Sequence, residues 1–220
     1  MKNVRPFDRF LRAAIAVVLF EAGYFWLGSP WNWICFGLGA ILLLTAVMGI
    51  CPLYRLLGIA STPVKQERRR PLLVALAALL LATLVIGGAY GSMFFTRKLF
   101  LEDFNAMNVH YKQALFLTGK GDRQGAVSNF DALLPAFEAF STKYGNYRPY
   151  ALKGDAELAS NFNTVRQILL EADPLVRTGD LHEAHLALEK VRPVFQDMFK
   201  RNGFSMLSVA LVDFHDAMET

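Results

Sequence analysis

The chain has 220 residues, of which 54% are hydrophobic and only 19% are charged, and its formal net charge is +4. This composition excludes an intrinsically disordered chain and is unusually apolar for a soluble globular protein. Residues 1–96 carry nine Lys/Arg and three Asp/Glu, whereas residues 97–220 carry fourteen and sixteen. The basic balance therefore belongs to the first part of the chain and does not indicate nucleic-acid binding.

The first 96 residues predict three transmembrane helices. Residues 22–54 and 71–96 contain no charged side chain, and a helix needs roughly 20 apolar residues to cross a bilayer. The turn-forming residues 28–32 divide the first stretch, so we expect spans at 10–27, 33–53 and 72–95. Glu21 interrupts the first apolar segment and no cleavage site follows, which predicts a retained span rather than a signal peptide.

Basic residues orient these spans. They lie before the first span and between the second and third, at Lys2, Arg5, Arg9, Arg12, Arg55, Lys65, Arg68, Arg69 and Arg70. Cytoplasmic loops are enriched in Lys and Arg, so we expect a cytoplasmic N terminus and a periplasmic domain after the third span. All three tryptophans fall near the predicted outer interface, where their rings prefer to lie.

Two features inside the spans are candidate sites. Glu21 is either a functional intramembrane carboxylate or a residue that reaches the outer interface or pairs within an assembly. Gly87 and Gly91, four residues apart with Gly88 between them, form a small-residue pattern that permits close helix packing.

The first sixty residues carry a recognisable pattern. The segment before the span pair contains Asn3-Val4, Asp8-Arg9 and Arg12. The pair is followed by residues Thr45 to Tyr54, which end in Cys51-Pro52-Leu53-Tyr54, and then by Leu57-Gly58-Ile59. Over about residues 2–62 the chain resembles the YgaP-like transmembrane domain family, which implies a small two-span module of bacterial inner membranes. The sequence departs from the family at Ala60-Ser61-Thr62, and no rhodanese active-site loop accompanies it.

Cys35 and Cys51 are the two cysteines of the chain, and we expect both on the second transmembrane helix. Sixteen residues of helix separate them by about 24 Å, which excludes a disulfide between them. Cys51 is then either a reactive or metal-binding thiol, including one used in sulfur trafficking, or a small packing residue at a helix end.

Residues 97–220 contain an internal repeat at an offset of 58 residues. Identical pairs include Phe104/Phe162, Gly121/Gly179, Asp122/Asp180, Pro135/Pro193 and Phe137/Phe195. Each unit predicts a helix, a Gly-Asp turn and a second helix kinked at its proline. We therefore expect an all-α domain, a four-helix bundle made from a duplicated hairpin, with a last helix over 206–218. The helix of the third span is expected to run on into 99–116.

Four histidines lie in this second part. His182 and His185 share a helix face near Asp180 and Glu183, which indicates either an exposed metal site or simply a solvated face. Met107 or His110 with His215 would provide ligands for haem b, and Asp213, His215 and Glu219 recur at helical spacing as candidate metal ligands. No Cys-x-x-Cys-His sequence exists for covalent haem attachment.

These observations predict three regions: a two-span domain at 1–62, a basic linker with the third span at 63–96, and a periplasmic bundle at 97–220. No catalytic constellation is assembled in the sequence, which favours a non-enzymatic protein. We expect an inner-membrane accessory subunit whose periplasmic domain binds a partner protein or a second copy of itself. The alternative is a haem- or metal-binding protein of electron transfer or metal handling.

Overall fold

A computed structural model of the protein describes residues 3–58 and 71–204. All regular structure within these two ranges is helical, which confirms the all-α prediction. The chain divides into two compact units, Met1–Thr96 and Arg97–Thr220.

The first unit begins with a helical hairpin. Helix α1 spans Pro6–Glu21, continues as a π-helical turn over Ala22–Trp26, and is followed by α2 at Trp31–Met48. Pro6 suits the first turn of α1, because that position needs no N–H donor and proline presets the helical φ angle. Gly39 of α2 packs against the ring of Phe20, so the two helices approach closely and run antiparallel.

Among the described residues, two helices are long and apolar enough to cross a membrane, namely α2 and the helix α4 at Pro71–Gly119. The predicted first span is shorter as an α-helix, because α1 ends after 16 residues at Glu21, where the π-helical turn begins. The expected extension of the third span is confirmed, since α4 runs without a break through Gly119.

The second helix ends earlier than predicted. Gly49 adopts a left-handed conformation with φ 70°, which ends α2 at Met48, and a short helix α3 follows at Pro52–Leu56. Glycine is favoured there because it has no Cβ to clash with the following carbonyl. The expectation that Cys35 and Cys51 share one helix is therefore wrong: Cys35 lies in α2 and Cys51 in the extended connection before α3.

Up to residue 204, where the description ends, the second unit continues from the C-terminal part of α4 with four further α-helices. These are α5 at Arg123–Asn146, α6 at Leu158–Arg177, α7 at Leu181–Glu189 and α8 at Val191–Arg201, with a 3-10 turn at Tyr150–Leu152. One hydrophobic core joins them, and its rings pack mainly edge-to-face. The aromatic members of that core are Phe100, Phe104, Tyr111, Phe130, Phe137, Phe140, Tyr144, Phe162, Phe195, Phe199 and Phe204.

The two repeated prolines act differently. Pro135 lies inside the continuous helix α5. Near Pro193 the helix instead breaks: α7 ends at Glu189 and α8 begins at Val191. Inside a continuous helix, the ring of Pro193 would clash with the carbonyl of Glu189, four residues earlier. The prediction of one kinked helix at each proline is therefore wrong for the second repeat, where the helix is divided into α7 and α8.

Several predicted features lie outside the described residues. They are the last helix at 206–218, the basic residues Lys2, Lys65, Arg68, Arg69 and Arg70, and the candidate ligands Asp213, His215 and Glu219.

Candidate functional site

Asn3 fixes the backbone that follows α2. Its side-chain Nδ2 donates to the Cys51 carbonyl at 3.0 Å, and its Oδ1 accepts from the Cys51 N–H at 2.8 Å. The Asn3 backbone N–H also donates to the Gly49 carbonyl at 3.1 Å. These contacts are buried, and together they satisfy backbone groups that the end of α2 would otherwise leave without partners.

Arg9 covers the C-terminal end of α2. Its Nε donates to the Ala46 carbonyl at 2.5 Å and its Nη2 to the Val47 carbonyl at 2.8 Å. The last carbonyls of a helix have no partner within the helix and carry partial negative charge. A guanidinium placed on them therefore satisfies acceptors and complements the helix dipole.

Arg12 completes this group of polar residues. Its Nε pairs with Asp8 Oδ1 at 2.8 Å, and its Nη1 donates to Thr45 Oγ1 at 3.3 Å and lies 3.7 Å from Cys51 Sγ. The guanidinium also stacks over the Tyr54 ring at 4.9 Å. We call Asn3, Asp8, Arg9, Arg12, Thr45, Cys51 and Tyr54 the arginine cluster.

The arginine cluster joins α1 to the connection between α2 and α3, and its hydrogen bonds run between these elements. Cys51 is 5% exposed within it, so a thiol reagent would meet a buried sulfur. The geometry favours the packing interpretation of Cys51 made from the sequence. Sulfur trafficking through this thiol stays a prediction.

A second group of contacts places Glu21 against α4. The Glu21 carboxylate lies so close to Gly88 that a Cβ added to that glycine would overlap it, and Glu21 Oε1 is buried without a hydrogen-bond partner. Nearby, Trp26 Nε1 donates to Ser92 Oγ at 3.0 Å. A Cβ at Gly87 or Gly91 would meet nothing within 4 Å, so the close approach is at Gly88, between the two glycines singled out from the sequence.

The three histidines of the second unit that the structure describes, His110, His182 and His185, form no common group of metal ligands. His185 Nδ1 lies 2.9 Å from the Leu115 carbonyl and 3.5 Å from Thr118 Oγ1, at the end of α4, whereas His182 is exposed. Met107 is buried in the hydrophobic core and His110 is half-buried. Within the described ranges no three His, Cys, Asp or Glu side chains are placed to share a metal ion. Haem or metal binding stays a prediction.

Asp155 organises a polar cluster that sequence reasoning missed. Its carboxylate accepts from Arg201 Nε and Nη2, each at 3.2 Å, from Asn202 Nδ2 at 2.6 Å and from the Glu157 backbone N–H at 3.0 Å. Burial alone would raise the pKa of Asp155, but the hydrogen bonds from Asn202, Arg201 and Glu157 outweigh it and lower the pKa. The cluster lines a cavity of about 460 Å³.

The Asp155 cluster ties the segment after α5 to the end of α8. Arg201 Nη1 makes a further ion pair with Glu157 Oε2 at 2.9 Å, and Arg148 Nη1 donates to the Asp155 carbonyl at 3.2 Å. Sequence spacing carries no signal for the cluster, because Asp155 and Arg201 are 46 residues apart. These contacts join residues of the cluster to one another, which favours a structural role for it.

The comparison with protein families agrees with the geometry of the first unit. The family described as "Inner membrane protein YgaP-like, transmembrane domain" matches residues 1–65, which confirms the resemblance inferred over 2–62. The matched range contains the whole arginine cluster. The rest of the chain matches no family, and no curated protein or solved structure matches the chain. Residues 1–65 are thus similar to the YgaP-like transmembrane domain, which supports an inner-membrane location for the protein.

Proposed function

We propose that this protein is an accessory subunit of an inner-membrane complex, anchored by its YgaP-like domain and presenting residues 97–220 to a partner protein in the periplasm. The anchor consists of three spans in this proposal. Helix α1 and the π-helical turn after it together cover 21 residues, Pro6 to Trp26, and so reach about the 30 Å thickness of a bilayer core.

A duplicated helical hairpin accounts for the second unit. Helices α5 and α7 begin 58 residues apart, and each is capped by the carboxylate of the preceding aspartate, Asp122 or Asp180. Residues at this offset are buried in both halves, as in Phe104/Phe162, Met107/Val165, Ala114/Ala172, Ala126/Ala184, Phe130/Leu188 and Phe137/Phe195. Two copies of one hairpin that share a core support the four-helix bundle.

The observation that carries the proposal is that ionisable side chains in the second unit connect its own helices. Lys143 and Tyr144 both bond Asp103, at 2.5 Å and 2.6 Å, and Arg166 pairs with Glu138 at 2.8 Å. Arg177 bridges Asp131 and Asp173, and Asp155 is held as described above. These ionisable groups thus join the helices of the unit to one another, which favours a role for the surface of the domain.

Exposed leucines mark where a partner would bind. Leu170 of α6 and Leu186 of α7 are 58% and 46% exposed, and the buried core of a protein interface is more apolar and less charged than its rim. We place a photoreactive amino acid at each position in the full chain, expressed in its native membrane. Ser128 of α5, an exposed polar residue of the same unit, provides the control position.

The expected result is one crosslinked polypeptide of defined mass from Leu170 or Leu186 and none from Ser128. The same polypeptide should co-purify with the unmodified protein in mild detergent. Equal, diffuse labelling from all three positions, together with purification of a lone monomer, would overturn the proposal.

A further inference from the structure

Glu21 is an ionisable side chain of α1 to which the proposed function gives no role. Its carboxyl group lies against Gly88 of α4, and its Oε1 is buried without a hydrogen-bond partner in the described part of the chain. Glu21 follows Pro6, the first residue of α1, by about 22 Å of helix. In the anchor proposed above, the carboxyl group therefore lies within a bilayer core of about 30 Å.

The π-helical turn after Glu21 directs two side chains of this segment towards α4. Hydrogen bonds in a π-helix join residues i and i+5, so side chains five positions apart lie on nearly the same side. Glu21 and Trp26 are five positions apart and meet Gly88 and Ser92, which are four positions apart on α4. Both contacts therefore belong to one interface between α1 and α4, and π-helical turns are frequent at functional sites.

No cationic side chain is placed to balance a charge on Glu21. Residues 22–54 and 71–96 contain no charged side chain, and Arg12, nine positions earlier on α1, pairs with Asp8 at 2.8 Å. Outside the arginine cluster, the titratable side chains of the π-helical turn, α2 and residues 71–96 of α4 are uncharged at neutral pH: Tyr24, Cys35 and Tyr90. An ionised Glu21 would thus be an unpaired charge in apolar surroundings, which is strongly unfavourable.

The backbone that Glu21 meets offers acceptors rather than donors. Gly88 lies in the interior of α4, where each N–H is bound within the helix but each carbonyl oxygen keeps a second lone pair. An ionised carboxylate only accepts hydrogen bonds, whereas a protonated carboxyl group has an O–H that can donate to a carbonyl. The absence of a Cβ at Gly88 gives Glu21 access to this backbone. The contact therefore suits the neutral acid.

We propose that Glu21 is a proton-binding site within the membrane, and that α4 packs on α1 at Gly88 only while Glu21 holds its proton. Loss of the proton leaves an unpaired charge at the interface and separates the two helices there. The inference rests on the membrane anchor of the proposed function and is independent of the partner protein.

Carbodiimide modification of the full chain in native membranes tests the proton-binding site. The O–H of a protonated carboxyl group adds across a C=N bond of apolar dicyclohexylcarbodiimide, and acyl transfer to nitrogen gives an N-acylurea that peptide mass spectrometry locates. We expect modification of Glu21 near neutral pH, with a rate that falls at least about tenfold as the pH is raised. Asp8, which is paired with Arg12 on the same helix, is the internal control and should stay unmodified.

Tryptophan fluorescence in detergent tests whether the proton controls the packing. Trp31→Phe and Trp33→Phe leave Trp26, which contacts Ser92 beside the Glu21 site, as the remaining tryptophan. Raising the pH should shift the emission of this protein. Glu21→Gln is uncharged at every pH, so in the same background it should keep the low-pH emission throughout. The same pH-dependent shift with and without Glu21→Gln would contradict control by this proton.

The carbodiimide experiment has three outcomes that would overturn the proposal: no adduct at Glu21, equal modification of Asp8, or a rate that does not depend on pH. Slower modification on addition of Na⁺ at constant pH would assign the site to a cation and would also overturn it. Alkaline extraction of the membranes checks the anchor separately. Release of the protein would refute the anchor and with it this inference, whereas retention with an unmodified Glu21 would refute the inference alone.

Discussion

Replacing Asp155 by Ala should unfold the second unit at a markedly lower temperature. The Asp155 side chain is 0% exposed and accepts four hydrogen bonds, three of them from Arg201 and Asn202. Breaking a buried ion pair typically costs about 3–5 kcal/mol. Arg201 is one-third exposed and keeps its pairing with Glu157, so we place the loss near the lower end, at about 3 kcal/mol.

The loss is measured by thermal unfolding of the full protein in detergent. About 4 °C per kcal/mol applies to a domain of this size, so the transition of the second unit should fall by about 12 °C in far-UV circular dichroism. The three tryptophans, Trp26, Trp31 and Trp33, all lie in the first unit. Their fluorescence transition serves as an internal control and should not move.

Glu157→Ala is the matched variant, because Glu157 pairs with the same arginine but its side chain is 63% exposed. An exposed ion pair contributes about 0–1 kcal/mol, so this variant should unfold within a few degrees of the parent. Equal shifts for the two variants would refute the argument from burial.

The pH dependence of stability tests the contacts of Asp155 independently. The pKa of Asp155 is lower in the folded protein than in the unfolded chain, so the carboxylate stabilises the fold above the unfolded value of about 3.9. That stabilisation is lost as the pH falls through the folded pKa. The difference in stability between the parent and Asp155→Ala should therefore be constant near neutral pH and decrease below about pH 4. A difference that grew on acidification would contradict this assignment.

Two further predictions concern the first unit. Gly88→Ala should weaken the packing of α4 on Glu21, because the added Cβ overlaps the carboxylate. It should therefore shift the tryptophan fluorescence of the protein in detergent, since Trp26 bonds Ser92 nearby. Gly87→Ala, whose added Cβ would meet no atom within 4 Å, should leave the spectrum unchanged. Asn3→Ala should lower the temperature of the tryptophan transition, because it removes two buried hydrogen bonds, each worth about 1 kcal/mol. The transition temperature of Asn3→Asp should lie between those of the parent and Asn3→Ala, since aspartate keeps the acceptor for the Cys51 N–H. Equal effects of the two glycine variants, or of the two Asn3 variants, would contradict these contacts.

Much of the fold follows from local patterns in the sequence. Uncharged runs indicated the apolar helices, and the Gly-Asp turns indicated where α5 and α7 begin, because a glycine ends one helix and an aspartate caps the next. The apolar pattern predicts an end of the second helix at residue 53, later than its observed end at Met48. Gly49 gave a local signal for that boundary, but the apolar run continued through Leu53 and concealed it.

The contacts of the candidate sites depend on tertiary structure and could not be read from spacing. Asn3 and Cys51 are 48 residues apart, and Asp155 and Arg201 are 46 apart. The Gly87–Gly91 pattern predicts the helical turn of α4 at which the close contact occurs. Only the packing against Glu21 identifies Gly88 as the residue in contact. Their spacing predicts that His182 and His185 share a helix face. In the structure His185 contacts the Leu115 carbonyl of α4, whereas His182 is exposed.

The proposed function requires that the second unit faces the periplasm while α3 lies on the cytoplasmic side. It is tested by labelling with a membrane-impermeant maleimide in cells whose outer membrane has been permeabilised, using Ser128→Cys and Arg55→Cys in a chain without Cys35 and Cys51. Both positions are exposed in the structure. With this orientation, Ser128→Cys should be labelled in these cells and Arg55→Cys only after the inner membrane is broken. The reverse pattern would contradict it.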